Sequence, residues 1–128
     1  RLPKTIVYNL NPADDYVFAL VIGSFQDGSL AGKLKFGSGW WFLDQDERME
    51  WQLNALSKLG LLTQFVGMVT DSRSFMSFPR HEYFHRTLCN LLGRDMQLGR
   101  LPNDFPLVGR MVRGICHDNA HAYFGFDA

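Results

Sequence analysis

The sequence contains little that would direct the protein to a membrane, to nucleic acid or to an oxidising compartment. Thirteen basic residues balance thirteen acidic ones, and no basic run concentrates a positive field. The longest apolar stretches are far shorter than the roughly 20 residues that a membrane helix requires. The first residues, RLPKTIVYNL, lack the apolar core and the cleavage site of a signal peptide. We therefore expect a cytoplasmic protein that binds neither nucleic acid nor membranes.

Cysteine is also scarce, since Cys89 and Cys116 are the only two. Both lie within apolar helical patterns, which predicts small buried or half-buried side chains rather than a disulfide. Repeats, low-complexity tracts and clear linkers are missing as well. A chain of 128 residues with 46% hydrophobic and 20% charged residues is typical of one globular domain, here residues 1–128.

What the sequence does contain is an alternation of strand and helix patterns. Strands are predicted at residues 5–10 (TIVYNL), 33–42 (KLKFGSGWWF) and 63–70 (TQFVGMVT). Strands that alternate with helices imply right-handed crossovers and a parallel sheet, so the fold class is α/β. A complete (β/α)8 barrel needs about 250 residues. The βαβαβα order therefore predicts either a small α/β sandwich or the last three units of a TIM-type barrel, and a start directly on a strand favours the barrel.

The helix signals are more detailed. Asn11 and Pro12 predict a helix start, and Asp44 predicts a cap for the second helix, which Gly60 would end. A third helix is expected over residues 79–92 and a fourth from about residue 103 to 124. Helical spacing predicts the buried face of each helix. It is formed by Val17, Leu20 and Val21 in the first helix and by Met49, Leu53 and Leu56 in the second. In the fourth helix it is formed by Val108, Met111, Val112, Ile115 and Ala122.

The stretch HEYFH matches the helical zinc signature H-E-x-x-H, in which His81 and His85 would lie on one helix face. A zinc site needs a third protein ligand, yet no Glu follows this motif, and Leu88 stands where the extended motif has Gly. We therefore interpret the pair as surface histidines beside an apolar stripe and keep a zinc hydrolase as the less favoured alternative. His117 and His121 repeat the spacing on a face predicted to be solvated.

A stronger candidate is TDSRSF, residues 70–75. Asp71 directly follows an apolar strand, and catalytic groups of parallel α/β folds lie where strands end. A carboxylate there can bind a divalent cation or move a proton, and the fork of Arg73 matches a substrate carboxylate. In GSGWWF, small residues permit close approach to a ligand, and Trp40 and Trp41 can form an apolar wall for a sugar. The alternative is a loop cap at Asp71 with Arg73 as its ion-pair partner, and one Trp in the core.

Five longer segments are more distinctive than the short zinc pattern: LPKTIVYNLNP, KFGSGWWFLDQ, LSKLGLLTQFVGMVTDSRSF, RHEYFHRTLCNLLG and ICHDNAHAYFG. Together they resemble the C-terminal part of bacterial uronate isomerase (glucuronate isomerase), a member of the amidohydrolase superfamily of barrels. The resemblance covers essentially the whole chain. It implies that the predicted strands are the sixth, seventh and eighth of a barrel.

The resemblance also implies roles for individual residues. Asp71 would be a metal ligand and the proton-transfer base, Arg73 would bind substrate, and one Trp of the GWW segment, taken as Trp40, would line the pocket. The implied cofactor is a divalent metal, with zinc expected, but the H-x-H pair of the superfamily is missing from this sequence. The metal site would therefore be incomplete in this chain, which we interpret as a fragment.

The implied activity is the interconversion of aldose and ketose uronates through an enediol, as in hexuronate catabolism. D-glucuronate would give D-fructuronate, and galacturonate would give tagaturonate. The small-molecule partner would thus be a sugar acid. The alternative is a non-catalytic α/β fragment that associates through its open sheet edges, with itself or with other chains.

Overall fold

The computed structural model describes residues 3–26, 28–39, 43–71 and 73–126. Its described part is a mostly helical α/β arrangement. The elements are β1 (Thr5–Val7), α1 (Asp15–Ser24), β2 (Leu34–Phe36), α2 (Asp46–Leu59), α3 (Pro79–Gln97), α4 (Phe105–Arg113) and α5 (Asn119–Phe124), with a π-helical turn, Gly114–Asp118, joining the last two. Single 3-10 turns cover Pro12–Asp14, Leu62–Gln64 and Phe75–Ser77.

The sheet of the described chain has two parallel strands. Thr5 lies opposite Leu34 and Val7 opposite Phe36, and α1 forms the crossover between the strands. The predicted parallel βαβ unit is therefore confirmed, although both strands are shorter than predicted.

The prediction of a third strand at residues 63–70 is wrong. The segment begins in the turn Leu62–Gln64, and residues 65–70 form no ladder among the described residues. It nevertheless runs beside β2, because Lys35 Nζ donates to the Gln64 carbonyl at 2.5 Å and the Val69 N–H donates to Ser38 Oγ at 2.9 Å. From the first of these bonds to the second, the residue number increases in both partners, from 35 to 38 and from 64 to 69. The segment therefore runs parallel to β2.

Gly67 explains why this segment does not pair as a strand. Its φ is +74°, a left-handed conformation that interrupts the extended backbone a ladder requires. A Cβ at this position would lie 2.6 Å from the Ile115 carbonyl oxygen. The bend thus lets the segment pack directly against the π-helical turn.

Gly67→Ala should destabilise the fold by about 2–4 kcal/mol, because the left-handed strain and the collision with Ile115 add. Urea denaturation measures the loss. Gly99→Ala is the matched control, since Gly99 has φ +69° with nothing within 4 Å of a new Cβ. Equal losses for the two variants would show that the close approach at Ile115 contributes nothing.

The core forms where the helices cover β2 and the 65–70 segment. The predicted face of α2 is confirmed, since Met49, Leu53 and Leu56 are all buried. Phe84 and Leu88 of α3 pack into the same cluster. The other buried members are Ala19, Ile22, Phe36, Ala55, Leu62, Phe65, Met68, Leu91, Leu92 and Ile115.

The predicted face of α1 is wrong. Val17, Leu20 and Val21 are 58, 56 and 46% exposed, whereas Ala19 and Ile22 are buried. The α1 sequence, DYVFALVIGS, is apolar on nearly every side, so its periodicity does not distinguish one face from another. The choice is made by packing: α1 approaches α2 so closely that a Cβ on Gly23 would lie 2.1 Å from the Leu59 carbonyl oxygen.

Several helix ends agree with prediction and others do not. Asn11 Oδ1 accepts from the Ala13 N–H, which confirms the cap, and α2 ends at Gly60. The Asp44 cap is wrong, because α2 starts after Gln45 and Asp44 pairs with Arg80 instead. The third helix extends past its predicted end, to Gln97. In the final helix Ile115 is buried as predicted, whereas Ala122 is exposed.

The cysteine predictions hold in part. Cys116 is half-buried and Cys89 is exposed, and both thiols are free. Burial raises the pKa of Cys116, so its thiol stays protonated near neutral pH. None of the described helices is both long enough and apolar enough to cross a membrane.

Candidate active site

Three parallel segments end together at one edge of the molecule, which we call the carboxyl edge. It is formed by the residues that follow β1 (Asn9), β2 (Gly37–Gly39) and the 65–70 segment (Thr70 and Asp71). Each end is held by a polar side chain from a neighbouring helix. This edge is where α/β folds place their ligands.

A buried polar cluster holds the end of β1. Asn9 Nδ2 donates to Asp15 Oδ1 at 2.7 Å, Arg48 Nη2 donates to Asn9 Oδ1 at 3.2 Å, and Arg48 Nη2 also lies 2.9 Å from Asp15 Oδ1. The Arg48 and Asp15 side chains are only 5 and 2% exposed. Burial raises the pKa of Asp15, while the Arg48 charge and the Asn9 hydrogen bond oppose that rise. The triad links β1, α1 and α2.

Gln52, one helical turn after Arg48 on α2, holds the end of β2. Its Nε2 donates to the Gly37 carbonyl at 2.6 Å, and its Oε1 accepts from the Gly39 N–H at 3.1 Å. A Cβ on Gly37 would lie 2.2 Å from the Tyr8 ring. At this position, therefore, the small residue predicted to admit a ligand makes room for a neighbouring side chain.

Arg80, in the first turn of α3, holds the end of the third segment. Its Nη1 donates to the Thr70 carbonyl at 3.2 Å, and its Nη2 forms an ion pair with Asp44. The Asp44 side chain is 2% exposed and that of Arg80 is 30% exposed. Burial raises the pKa of Asp44, and the Arg80 charge, with a smaller contribution from His81, opposes the rise.

The structure places Asp71 at the carboxyl edge with an exposed side chain. It is the one non-glycine residue in the described part of the chain with a positive φ, +42°. Arg73 is exposed as well. The ion pair between these two residues, the alternative interpretation, is absent from the described ranges. Trp40 and Trp41 lie outside the described residues.

The described residues contain no group of three or more His, Cys, Asp or Glu side chains that could hold a metal ion. Asp71 alone offers one carboxylate, so it does not make a metal site by itself. His81 is exposed and His85 half-buried against Phe84, and the described residues bring no third ligand to them. The zinc-hydrolase alternative therefore has no complete site in this part of the chain.

His117 and His121 are solvated as predicted. Both are exposed, and their rings stack at 5.9 Å between centroids. His117 Nδ1 lies 2.9 Å from Asp118 Oδ1, and Arg113 pairs with the same carboxylate. The hydrogen bond from His117 is the main reason that the pKa of Asp118 is lowered.

The polar side chains behind the carboxyl edge were not anticipated from the sequence, although one signal was present. Arg48 and Gln52 are one helical turn apart and lie among the apolar positions of the buried stripe of α2. Polar residues within a core face require buried partners. No comparable signal marks Asn9 or Arg80, whose partners are distant in the sequence.

Comparison with known proteins identifies the family of this chain. Residues 1–124 match the model of the family described as glucuronate isomerase. The uronate isomerase of Opitutus terrae is 68% identical over 124 residues, covering 97% of this chain and 26% of that protein. That of Flavobacterium johnsoniae is 62% identical over 126 residues, covering 98% of this chain and 27% of that protein.

A solved structure gives the same result. The crystal structure of uronate isomerase from Thermotoga maritima superposes with a TM-score of 0.83 at 31% identity, over 94% of this chain and 25% of that one. This chain thus spans about a quarter of the length of the curated relatives that it matches. The chain belongs to the glucuronate isomerase family, whose relatives named above are uronate isomerases.

Proposed function

We propose that this chain forms the substrate-converting end of a uronate isomerase barrel, which interconverts aldose and ketose uronates such as D-glucuronate and D-fructuronate. The observation that carries the proposal is the exposed carboxylate of Asp71 at the carboxyl edge, immediately after the third parallel segment. The remaining strands and ligands of the barrel would lie outside this chain, in keeping with its quarter-length match.

The proposed reaction moves one carbon-bound proton. Asp71 takes the proton from the carbon next to the aldehyde, and the electron pair forms an enediol. Asp71 returns the proton to the former aldehyde carbon, while the hydroxyl proton passes between the two oxygens. The aldehyde becomes a hydroxymethyl group and its neighbour a ketone, so atoms balance without an oxidant or a reductant.

Arg73 is proposed to bind the substrate carboxylate. It lies two residues beyond Asp71 and is exposed, with no ion pair to Asp71 to occupy its guanidinium. A guanidinium fork can donate two parallel hydrogen bonds to a carboxylate. Trp40 and Trp41 complete the proposal as an apolar wall for the sugar ring.

The test is a chimera in which this chain replaces the matching quarter of the Opitutus terrae uronate isomerase. Since the two sequences are 68% identical over 124 residues, the chimera should fold and convert glucuronate. The unmodified relative is the control for the assay. A folded chimera that binds glucuronate but leaves it unchanged, beside an active relative, would contradict the proposal.

Arg73→Lys in this chimera should raise KM for glucuronate by about tenfold, because a lysine keeps the charge but loses the fork. Steady-state kinetics with glucuronate measure the change. Arg110→Lys, an exposed arginine of α4, is the control and should leave KM unaltered. An unchanged KM for Arg73→Lys would remove Arg73 from the substrate contact.

A second proposal is that the chain alone is a non-catalytic fragment that associates through its exposed surface. Two observations favour it: β1 is paired on one side only within the described residues, and the apolar residues Val17, Leu20 and Val21 of α1 are exposed. Sedimentation of the isolated chain tests it. A monomer at all concentrations would contradict this second proposal.

A further inference from the structure

The backbone of Asp71 adopts a conformation that needs support from its surroundings. A φ of +42° is uncommon for a residue with a Cβ, and such residues persist where neighbouring contacts determine them. The torsion φ of Asp71 describes the rotation between its own Cα and the peptide plane that contains the Thr70 carbonyl. A group that fixes the Thr70 carbonyl therefore fixes one side of this torsion.

Arg80 is the side chain that contacts this carbonyl. Its Nη1 donates to Thr70 O at 3.2 Å, ten residues away in the sequence. Arg80 extends from the first turn of α3, a helix whose Phe84 and Leu88 are buried in the core. The carbonyl is thus fastened to a rigid element rather than to another loop.

Asp44 holds the other nitrogen of the same guanidinium. The Asp44 side chain is 2% exposed, and it lies in the connection between β2 and α2. Arg80 therefore ties the end of the third segment to the element that follows β2. With Arg48 and Gln52 holding the other two ends, this contact completes the support of the carboxyl edge.

We propose that Arg80 is a positioning residue for the isomerase reaction: by bridging the Thr70 carbonyl and Asp44, it holds Asp71 in its left-handed conformation with the carboxylate directed at the substrate. The inference rests on the proposed function for its link to catalysis. Its structural part, the dependence of the Asp71 backbone on Arg80, stands independently.

The bridge requires two nitrogens in a fixed fork. A lysine at position 80 would keep a positive charge near Asp44 but has a single nitrogen, so it cannot hold both partners in the same geometry. Arg80→Lys should therefore preserve the buried charge pair and release the Thr70 carbonyl. This separates positioning from the neutralisation of Asp44.

The experiment uses the chimera with the Opitutus terrae relative. Arg80→Lys should lower kcat by about 10- to 100-fold while KM changes little, because a misplaced reacting group costs rate rather than binding. A crystal structure of the variant should show Asp71 outside the positive φ region. Arg86→Lys is the matched control, since Arg86 lies on the same helix and pairs only with the exposed Glu82 among the described residues.

A second variant distinguishes a loss of positioning from unfolding of the protein. Arg80→Met combined with Asp44→Leu removes both charges, so no buried carboxylate is left unpaired. The double variant should fold and show the same fall in kcat. If it unfolds, Arg80 serves folding rather than the placement of Asp71, and the inference fails.

The outcomes separate this inference from the proposed function. If Asp71 keeps a φ near +42° in Arg80→Lys, the inference is overturned, whatever the activity. If the parent chimera is inactive beside an active relative, the proposed function fails, and the crystal structures still decide whether Arg80 holds Asp71. Combining Arg80→Lys with Asp71→Asn should cost no more rate than Asp71→Asn alone.

Discussion

Asp71→Asn in the chimera with the Opitutus terrae relative should lower kcat for glucuronate by about 10²- to 10⁴-fold, the usual contribution of a positioned general base. An amide has nearly the shape of a carboxylate but does not take up the carbon-bound proton. The left-handed backbone at position 71 also suits the replacement, because Asn tolerates that region better than most residues. The fold should thus survive, and the loss should be confined to the chemical step.

The measurement is steady-state turnover of glucuronate, accompanied by thermal unfolding of each variant. Asp118→Asn is the control, an exposed carboxylate at the end of the π-helical turn that pairs with Arg113 and His117. Its turnover should match that of the parent. Near-parental turnover of Asp71→Asn would remove Asp71 from the proton transfer and leave the active-site proposal without its base.

This expected loss depends on a position that the sequence predicts well. A polar residue directly after an apolar parallel segment lies at the carboxyl edge whether or not the segment forms a ladder, because chain direction alone determines which end it occupies. Asp71 therefore follows the end of this segment although the segment is not a strand, and its role in a site stays a prediction. Its left-handed backbone was not predicted, since it depends on contacts from Arg80 and on the peptide of Thr70.

The errors in the fold prediction have physical causes at particular residues. The apolar neighbours of Gly67 favour a strand, yet its positive φ and its approach to Ile115 arise from packing of distant segments. In α1, Val17 and Ile22 are equally apolar, so only the close approach of α2 decides which is buried. Periodicity succeeds in α2, where charged residues alternate with apolar ones and mark one face.

The support behind the carboxyl edge was the least predictable part of the site. Asn9, Asp15 and Arg48 come from three separate elements and meet only in the folded chain. A sequence pattern can flag a polar residue within a buried stripe, as at Arg48, but it does not name the partner. The partner matters most, because a buried charge is tolerated only when it is paired and hydrogen-bonded.

Arg48→Met should therefore destabilise the fold by about 3–5 kcal/mol, the cost of leaving one member of a buried ion pair without its partner. The unpaired group is Asp15, whose side chain is 2% exposed and whose pKa burial already raises. Without Arg48 that pKa rises further. A carboxyl whose pKa is higher in the folded than in the unfolded protein makes the fold less stable as pH rises. The stability lost in Arg48→Met should therefore shrink as pH falls toward about 4.

Urea denaturation across pH measures this effect, and two companions isolate its cause. Arg48→Met combined with Asp15→Leu removes both charges and should recover much of the lost stability, because no unpaired carboxylate remains. Arg86→Met breaks the pair with Glu82, whose side chains are 73 and 63% exposed, and should cost no more than about 1 kcal/mol. If Arg48→Met cost no more than Arg86→Met, the buried pair would contribute little to holding β1 against α2, and the carboxyl edge would owe its shape to the apolar core instead.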